Sequence, residues 1–220
     1  MRCDKYYRLV AQLLFVFSSL IWAALSQATL IDFDDLNYYY PEPDEEYDPD
    51  VNQQNWVTDQ YQHLGVLFEG AFLVTQEYSS IDFPSSPFAI TDFQGPGFYI
   101  HFTDEVLPNF ISLYLSAFLG DRIFIMAYDK DDVLVDEVFT DGWAGTEETS
   151  TPYRDNQLVS LAAGNIKTVA INALYSRRGD ILLDNLFFTK SQVVPDPGTI
   201  ALISLGLFVM LWKPSRKAFR

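Results

Sequence analysis

"FISLYLSAFLGDRIFIMAYDKDDVLVDEVF" spans residues 110–139 and contains three short runs of β-branched, aromatic and other apolar residues. Gly120-Asp121 separates the first run from the second, and the Asp-Lys-Asp-Asp sequence at 129–132 separates the second from the third. Runs of this composition, broken by turn-forming residues, are typical of β-strands. The stretch therefore predicts consecutive strands, with a hairpin turn at 129–132.

The same pattern extends over the body of the chain, residues 29–190, and no segment there has a convincing helical period. About ten short strands with turn signals between them predict an all-β sandwich, specifically a jelly roll. Two stretches interrupt the strands: an acidic, proline-rich loop at 37–55 and a second loop at 140–156. The further strand candidates are "TLIDFDDL" (29–36), "HLGVLFE" (63–69), "AFLVT" (71–75), "FYIHF" (98–102), "QLVSL" (157–161), "IKTVAINAL" (166–174) and "ILLDNLFF" (181–188).

The N-terminal segment 1–28 has the organisation of a secretory signal peptide. Three basic residues precede an apolar run at 9–25, and small residues follow it, the last of them Ala28. This order predicts a signal helix that signal peptidase removes after Ala28, and a retained membrane anchor is the alternative. Removal of the segment also removes Cys3, the single cysteine, so the exported domain is expected to depend on core packing or a bound metal.

The C-terminal segment reads as a short membrane anchor. Residues 198–212 carry no charge, and as a helix they would span about 22 Å, less than a hydrocarbon core of about 30 Å. A basic tip at 213–220 is expected to stay in the cytoplasm. Residues 191–197 form a linker between this predicted transmembrane helix and the body.

Val194-Pro195-Asp196-Pro197, followed by a glycine-bearing apolar run and a basic cluster, resembles the PEP-CTERM protein-sorting tail. That resemblance implies export across the inner membrane of a Gram-negative bacterium that makes exopolysaccharide, and recognition of the tail by an exosortase in that membrane. The C-terminal helix would anchor the protein before processing, and the body would then reach the cell surface or extracellular matrix. Asp196 replaces the usual glutamate and Pro214 interrupts the basic cluster, so a permanently anchored protein is the alternative.

The charge of the chain limits its partners. Its formal net charge is −16, and most of the acidic residues lie between the two terminal segments. A surface of this kind repels phosphate backbones, so nucleic acid is not expected as a partner. Soluble cations are better candidates, although the acidity is equally consistent with a role in solubility alone.

The body also resembles domains that often precede this tail, which in turn look like galactose-binding-like, carbohydrate-binding jelly rolls. The similar stretches are an opening "IDFDDL", a middle "YQHLGVLFEGA", a later "IFIMAYDKDDVLV" and a closing "ILLDNLFF". The resemblance implies a structural calcium that ties the first strand to the last. The matching positions are Asp34 or Asp35 in the opening strand and Asp184 in the closing one, since calcium prefers oxygen ligands. Solvent-facing carboxylates without a metal are the alternative.

Two loop aromatics, Trp143 and Tyr153, are the candidate ligand-binding residues, because exposed aromatic faces stack on sugar rings. Rings that cap the ends of the sandwich are the alternative. The sequence contains no nucleophile elbow, no His-Glu-x-x-His motif and no complete dinucleotide-binding loop. We therefore predict a non-enzymatic adhesive or structural protein that contacts extracellular polysaccharide, and a secreted glycan hydrolase is the alternative.

Overall fold

The computed structural model describes residues 28–39, 55–78, 82–85, 87–92, 97–117, 120–144, 152–173 and 181–189. These residues form two β-sheets, with short 3₁₀ turns at 62–64 and 76–78. The predicted all-β, two-sheet architecture is thereby confirmed. The predicted signal helix, most of the acidic loop, the sorting motif Val194–Pro197, the transmembrane helix and the basic tip lie outside the described residues. Within the described part of the chain, no helix is both long enough and apolar enough to cross a membrane.

Twelve strands account for nearly all of the regular structure in the described residues. In chain order they are β1 (Ala28–Ile31), β2 (Trp56–Val57), β3 (Val66–Glu69), β4 (Ala71–Thr75), β5 (Phe88–Asp92), β6 (Gly97–Phe102), β7 (Phe110–Ala117), β8 (Ile123–Tyr128), β9 (Leu134–Phe139), β10 (Gln157–Ala162), β11 (Thr168–Ala173) and β12 (Ile181–Thr189).

The strands divide into a seven-stranded and a five-stranded antiparallel sheet. The first has the order β10-β7-β12-β5-β4-β2, with β1 also paired to β12, and the second has the order β3-β6-β11-β8-β9. The chain passes from one sheet to the other between β7 and β8, where Gly120 has a φ of +72° that a glycine adopts without strain. β7 and β8 therefore lie in different sheets, and the two sheets enclose a shared interior.

The interior is built from every second side chain of the long strands, as the period of a β-strand requires. In β6, for example, Phe98, Ile100 and Phe102 are buried. Phe102 meets Phe188 of the other sheet edge-on, with ring centroids 5.2 Å apart, a favourable geometry for aromatic pairs. One continuous apolar core thus joins the two sheets.

The opening strand is shorter than the sequence predicts. β1 ends at Ile31, Phe33 has a φ of +64°, and the Leu36 N–H donates to the Phe33 carbonyl in a turn. The prediction that Asp34 and Asp35 lie in the opening strand is therefore wrong, because both belong to this turn. Ile31 and Phe33 are nevertheless both buried, as their alternation predicts.

Strand β12 changes neighbours part-way along one side. One side of β12 pairs with β7. On the other side, Leu182–Leu183 pair with β5 and residues 186–189 pair with β1. The register shifts between Asp184 and Phe187, and Asn185 has a φ of +53°. This irregularity places Asp184 at the junction of β5, β12 and the end of β1.

Candidate functional site

The outward face of the five-stranded sheet carries a groove along its central strand, β11. The register brings small or polar side chains of β11 between larger ones of β6 and β8. Ala170 points away from the core yet is only 3% exposed, because Tyr99 and Met126 flank it. We call this feature the outer groove: its floor is Thr168, Ala170 and Asn172, one wall is Tyr99 and His101, and the other wall is Phe124, Met126 and Tyr128.

The first wall is a stacked pair of rings that hydrogen bonds hold in place. Tyr99 and His101 lie nearly parallel, at 12°, with centroids 6.0 Å apart. The His101 Nδ1 lies 3.1 Å from the Thr168 hydroxyl, and its Nε2 lies 3.1 Å from the Glu69 carboxylate. Tyr99 is 41% exposed, so this wall offers a fixed aromatic face to solvent.

The second wall continues outward to the edge strand β9. Phe124 lies opposite Phe139 across the strands, with ring centroids 6.2 Å apart. The Arg122 guanidinium lies 5.3 Å from the centroid of the Phe139 ring, within range of a cation–π contact. Rings on both sides of a floor with a few polar atoms are typical of sites that bind small or linear polar organic ligands.

A second cluster of polar groups lies at the junction on β12. The Asp184 carboxylate is buried and accepts three hydrogen bonds: from the Ser85 hydroxyl at 2.7 Å, the Ser85 N–H at 2.7 Å and the Asn185 N–H at 2.6 Å. Asp34 accepts a hydrogen bond from the Phe88 N–H at 3.2 Å. The junction therefore ties the turn after β1, the segment before β5 and the bulge of β12 together.

The two carboxylates of this junction affect each other electrostatically. Burial raises the pKa of Asp184, hydrogen bonds from Ser85 and Asn185 oppose that rise, and the charge of Asp34 adds to it. Burial likewise raises the pKa of Asp34, to which the charges of Asp32 and Asp35 also contribute. Two of the three residues predicted to bind calcium are thus brought together, and each is harder to ionise than usual.

Asp35, the third of these residues, faces a different neighbour. It accepts a hydrogen bond of 2.5 Å from the Tyr61 hydroxyl, and burial together with that contact raises the pKa of Tyr61. Among the described residues, no three or more histidine, cysteine, aspartate or glutamate side chains are grouped so that they could hold a metal ion. Calcium binding at Asp34, Asp35 and Asp184 stays a prediction.

The two predicted ligand-binding aromatics, Trp143 and Tyr153, both lie against Gly120. The backbone N–H of Trp143 donates to the Gly120 carbonyl at 2.8 Å, and the residue is 43% exposed. Tyr153 packs on the core, and its hydroxyl accepts a hydrogen bond from the Ala117 N–H at 2.6 Å. These contacts indicate a structural role for Tyr153, while ligand binding by either residue stays a prediction.

The walls and floor of the outer groove were not identified from the sequence. The signal was present in the alternation of "FYIHF", which places Tyr99 and His101 on the face opposite the buried residues. The alternation in "IKTVAINAL" likewise places Thr168, Ala170 and Asn172 together. The sequence alone does not show that these two strands pair.

Ala28, the predicted last residue of the signal peptide, is the first residue of β1 and lies opposite Thr189. The end of the predicted leader is therefore adjacent in the sheet to the last residue of β12.

No protein-family model matches this chain, and no curated protein matches it. Several solved structures of adhesin and carbohydrate-binding domains are similar to it in part. The K2 cleaved adhesin domain of Lys-gingipain matches at 13% identity and a TM-score of 0.42, over 74% of this chain and 99% of that one. The K1 domain of Lys-gingipain from Porphyromonas gingivalis W83 matches at 12% identity and a TM-score of 0.40, over 75% and 99%. TmCBM61, solved with β-1,4-galactotriose, matches at 14% identity and a TM-score of 0.35, over 62% and 99%. Likeness this distant extends no ligand or activity to this chain.

Proposed function

We propose that the body of this protein is a non-enzymatic, adhesive glycan-binding domain that holds a polysaccharide in the outer groove. The observation that supports this most directly is the exposed Tyr99 ring, stacked on His101 beside a floor of small residues. The C–H faces of a sugar ring pack on aromatic faces, and both wall residues stand on strands whose positions the sheet fixes.

We propose that one glycan chain lies along the outer groove. Strands β6 and β8 flank β11, so their backbones are separated by two strand spacings, about 10 Å. Because Ala170 is only 3% exposed, a sugar ring would lie over the walls and against the exposed Tyr99 ring, not between Tyr99 and Met126. Both His101 ring nitrogens already have partners, Thr168 and Glu69, whereas the Thr168 hydroxyl and the Glu69 carboxylate keep capacity for a further hydrogen bond with a sugar hydroxyl.

The route of the protein to its ligand remains part of the proposal. We propose that signal peptidase cleaves after Ala28, that residues 194–197 and the following helix act as a PEP-CTERM-like tail for an exosortase, and that the body reaches the cell surface or matrix. We also propose a jelly-roll description for the sandwich and a structural calcium at Asp34 and Asp184. A cation there would offset the repulsion between the two carboxylates, which is the feature that supports it.

A glycan array tests the binding proposal. The full chain, in mild detergent, is applied to immobilised neutral, amino and uronic-acid polysaccharides, with three variants in parallel. We expect Tyr99→Ala to abolish retention and Leu158→Ala, which removes an exposed apolar side chain of β10 in the other sheet, to leave it unchanged. If Trp143→Ala abolished glycan retention and Tyr99→Ala did not, the binding site would instead lie at the loop aromatics.

The same array separates binding from hydrolysis. Release of reducing ends from any retained polysaccharide, abolished by a single aspartate or glutamate substitution, would overturn the non-enzymatic assignment in favour of the glycan hydrolase. Retention without any release of sugar is the result we expect.

A further inference from the structure

The outer groove has a carboxylate on each side, and we infer that its ligand is a polysaccharide with free amino groups. This inference rests on the glycan-binding function proposed above. Glu69 of β3 lies opposite Tyr99, and Glu137 of β9 lies opposite Met126. Because Tyr99 and Met126 both pair with Ala170, the two glutamates stand at opposite ends of one row that crosses the groove.

The two carboxylates are close enough to the groove to act on a charged ligand. Each glutamate is two strand spacings from β11, so its backbone lies about 10 Å from the groove axis before the side chain extends. That distance is comparable with the Debye length of about 8 Å at physiological ionic strength. The Glu69 side chain is 72% exposed and Glu137 is also exposed, so their attraction for a cation is modest and depends on salt.

The lysine and arginine side chains of the described residues do not offset this charge, because each already has a partner elsewhere; His101, which lies 3.1 Å from Glu69, offsets that carboxylate only in its protonated form. Lys167 pairs with Asp104 and Lys130 lies 3.8 Å from Asp131, both close to the Tyr128 end of the groove. The remaining two are Arg154, which pairs with Asp141, and Arg122, which lies over Phe139. To bind Lys130, Arg154 or Lys167, a uronic-acid polymer would have to displace an acidic partner, on a chain whose net charge is −16.

The exposed wall adds a second contribution that favours an amine. A protonated amino group above the face of Tyr99 would gain a cation–π interaction that an acetylated nitrogen lacks. The Tyr99 ring therefore favours free amino sugars over acetylated ones, and Glu69 and Glu137 favour the same sugars.

Two hexasaccharides that differ in charge at one atom per sugar provide the test. Calorimetric binding of β-1,4-linked glucosamine hexamer and N-acetylglucosamine hexamer to the full chain is compared at a mildly acidic pH, where the amines are protonated. We expect the glucosamine hexamer to bind roughly three- to tenfold more tightly at low salt, and this advantage to shrink as salt is raised. Glu69→Gln with Glu137→Gln should remove most of the advantage.

A charge-matched control separates local attraction from net charge. Glu77→Gln removes one charge from the 3₁₀ turn after β4 in the other sheet, so it is compared with Glu69→Gln alone and with Glu137→Gln alone, and should leave the advantage nearly intact. Equal binding of the two hexamers, an equal effect of Glu77→Gln, or Tyr99-dependent binding confined to neutral or uronic-acid glycans would overturn the inference and leave glycan binding standing. Absence of Tyr99-dependent binding to every glycan tested would overturn the proposed function itself.

Discussion

Ser85 holds the Asp184 carboxylate with two hydrogen bonds of 2.7 Å, one from its backbone N–H and one from its hydroxyl. Asp184 is 3% exposed and occupies the point where β12 exchanges β5 for β1 as its neighbour. Residues distant in sequence are therefore held together where the pairing of β12 with β7 shifts register.

Substitution of Asp184 is expected to destabilise the fold. Asp184→Asn keeps the side-chain shape, but its amide group cannot accept from both Ser85 donors and leaves one buried donor without a partner. Loss of a buried, charge-assisted network of this kind costs about 2–4 kcal/mol of unfolding free energy. Chemical denaturation monitored by fluorescence measures this change in unfolding free energy, and Ser160→Ala, at an exposed position of β10, is the control. A change below about 0.5 kcal/mol, the usual range for surface substitutions, would contradict the role given to Asp184.

The pH dependence of stability should report the charge of Asp34. Its pKa is raised in the folded state, so its ionised form opposes folding at neutral pH and this cost disappears as pH falls toward the ordinary aspartate value of about 3.9. Asp34→Asn retains an acceptor for the Phe88 N–H without the charge. We expect the variant to be more stable than wild type at pH 7, and this gain to be lost as pH falls toward the ordinary aspartate value. Asp59→Asn, at an exposed position, controls for net charge. A stability gain of Asp34→Asn that increased as pH falls would contradict the prediction.

Calcium binding is a separate prediction about the same junction. If the ion lies between Asp34 and Asp184, it offsets their repulsion, so we expect added calcium to raise the melting temperature of chelator-treated protein. The rise should follow calcium concentration and be absent in Asp34→Asn, while magnesium, which demands stricter geometry, should have a smaller effect. A melting temperature that neither calcium nor chelator changes would contradict calcium binding at this junction.

Most strands were predictable from the sequence because strands such as β6, β8 and β10 alternate buried and more exposed residues and are bounded by turn-forming residues. β2 and β5 were missed: β2 has two residues, and β5 follows a serine- and proline-rich segment and pairs with β12 over only Leu182–Leu183. The turn at Phe33 was missed because a positive φ is uncommon for an aromatic residue.

The candidate site was less predictable than the strands that carry it. A resemblance predicted that Asp34 or Asp35 shares a calcium site with Asp184, and whether a metal joins them depends on geometry that sequence spacing does not specify. The outer groove depends on which strand lies beside β11. A shift of one residue in that register would turn Ala170 from the neighbour of Tyr99 to the neighbour of a buried residue.

Gly97 tests that register directly. A Cβ at Gly97 would lie 2.0 Å from the Ile171 carbonyl oxygen and 2.6 Å from the Asn172 side-chain oxygen, and the first of these belongs to backbone that cannot move aside without opening the β6–β11 pairing. We expect Gly97→Ala to cost about 2–3 kcal/mol of unfolding free energy and to weaken glycan retention, because Asn172 forms part of the groove floor.

Gly164 supplies the matched control. It lies in the connection between β10 and β11, and a Cβ there would meet no other atom within 4 Å. Gly164→Ala should therefore change the unfolding free energy by less than about 0.5 kcal/mol, or stabilise slightly by restricting the unfolded chain. Equal effects of the two substitutions would mean that Gly97 does not lie against Ile171. The register that places Tyr99 and His101 beside the groove floor would then have to be revised.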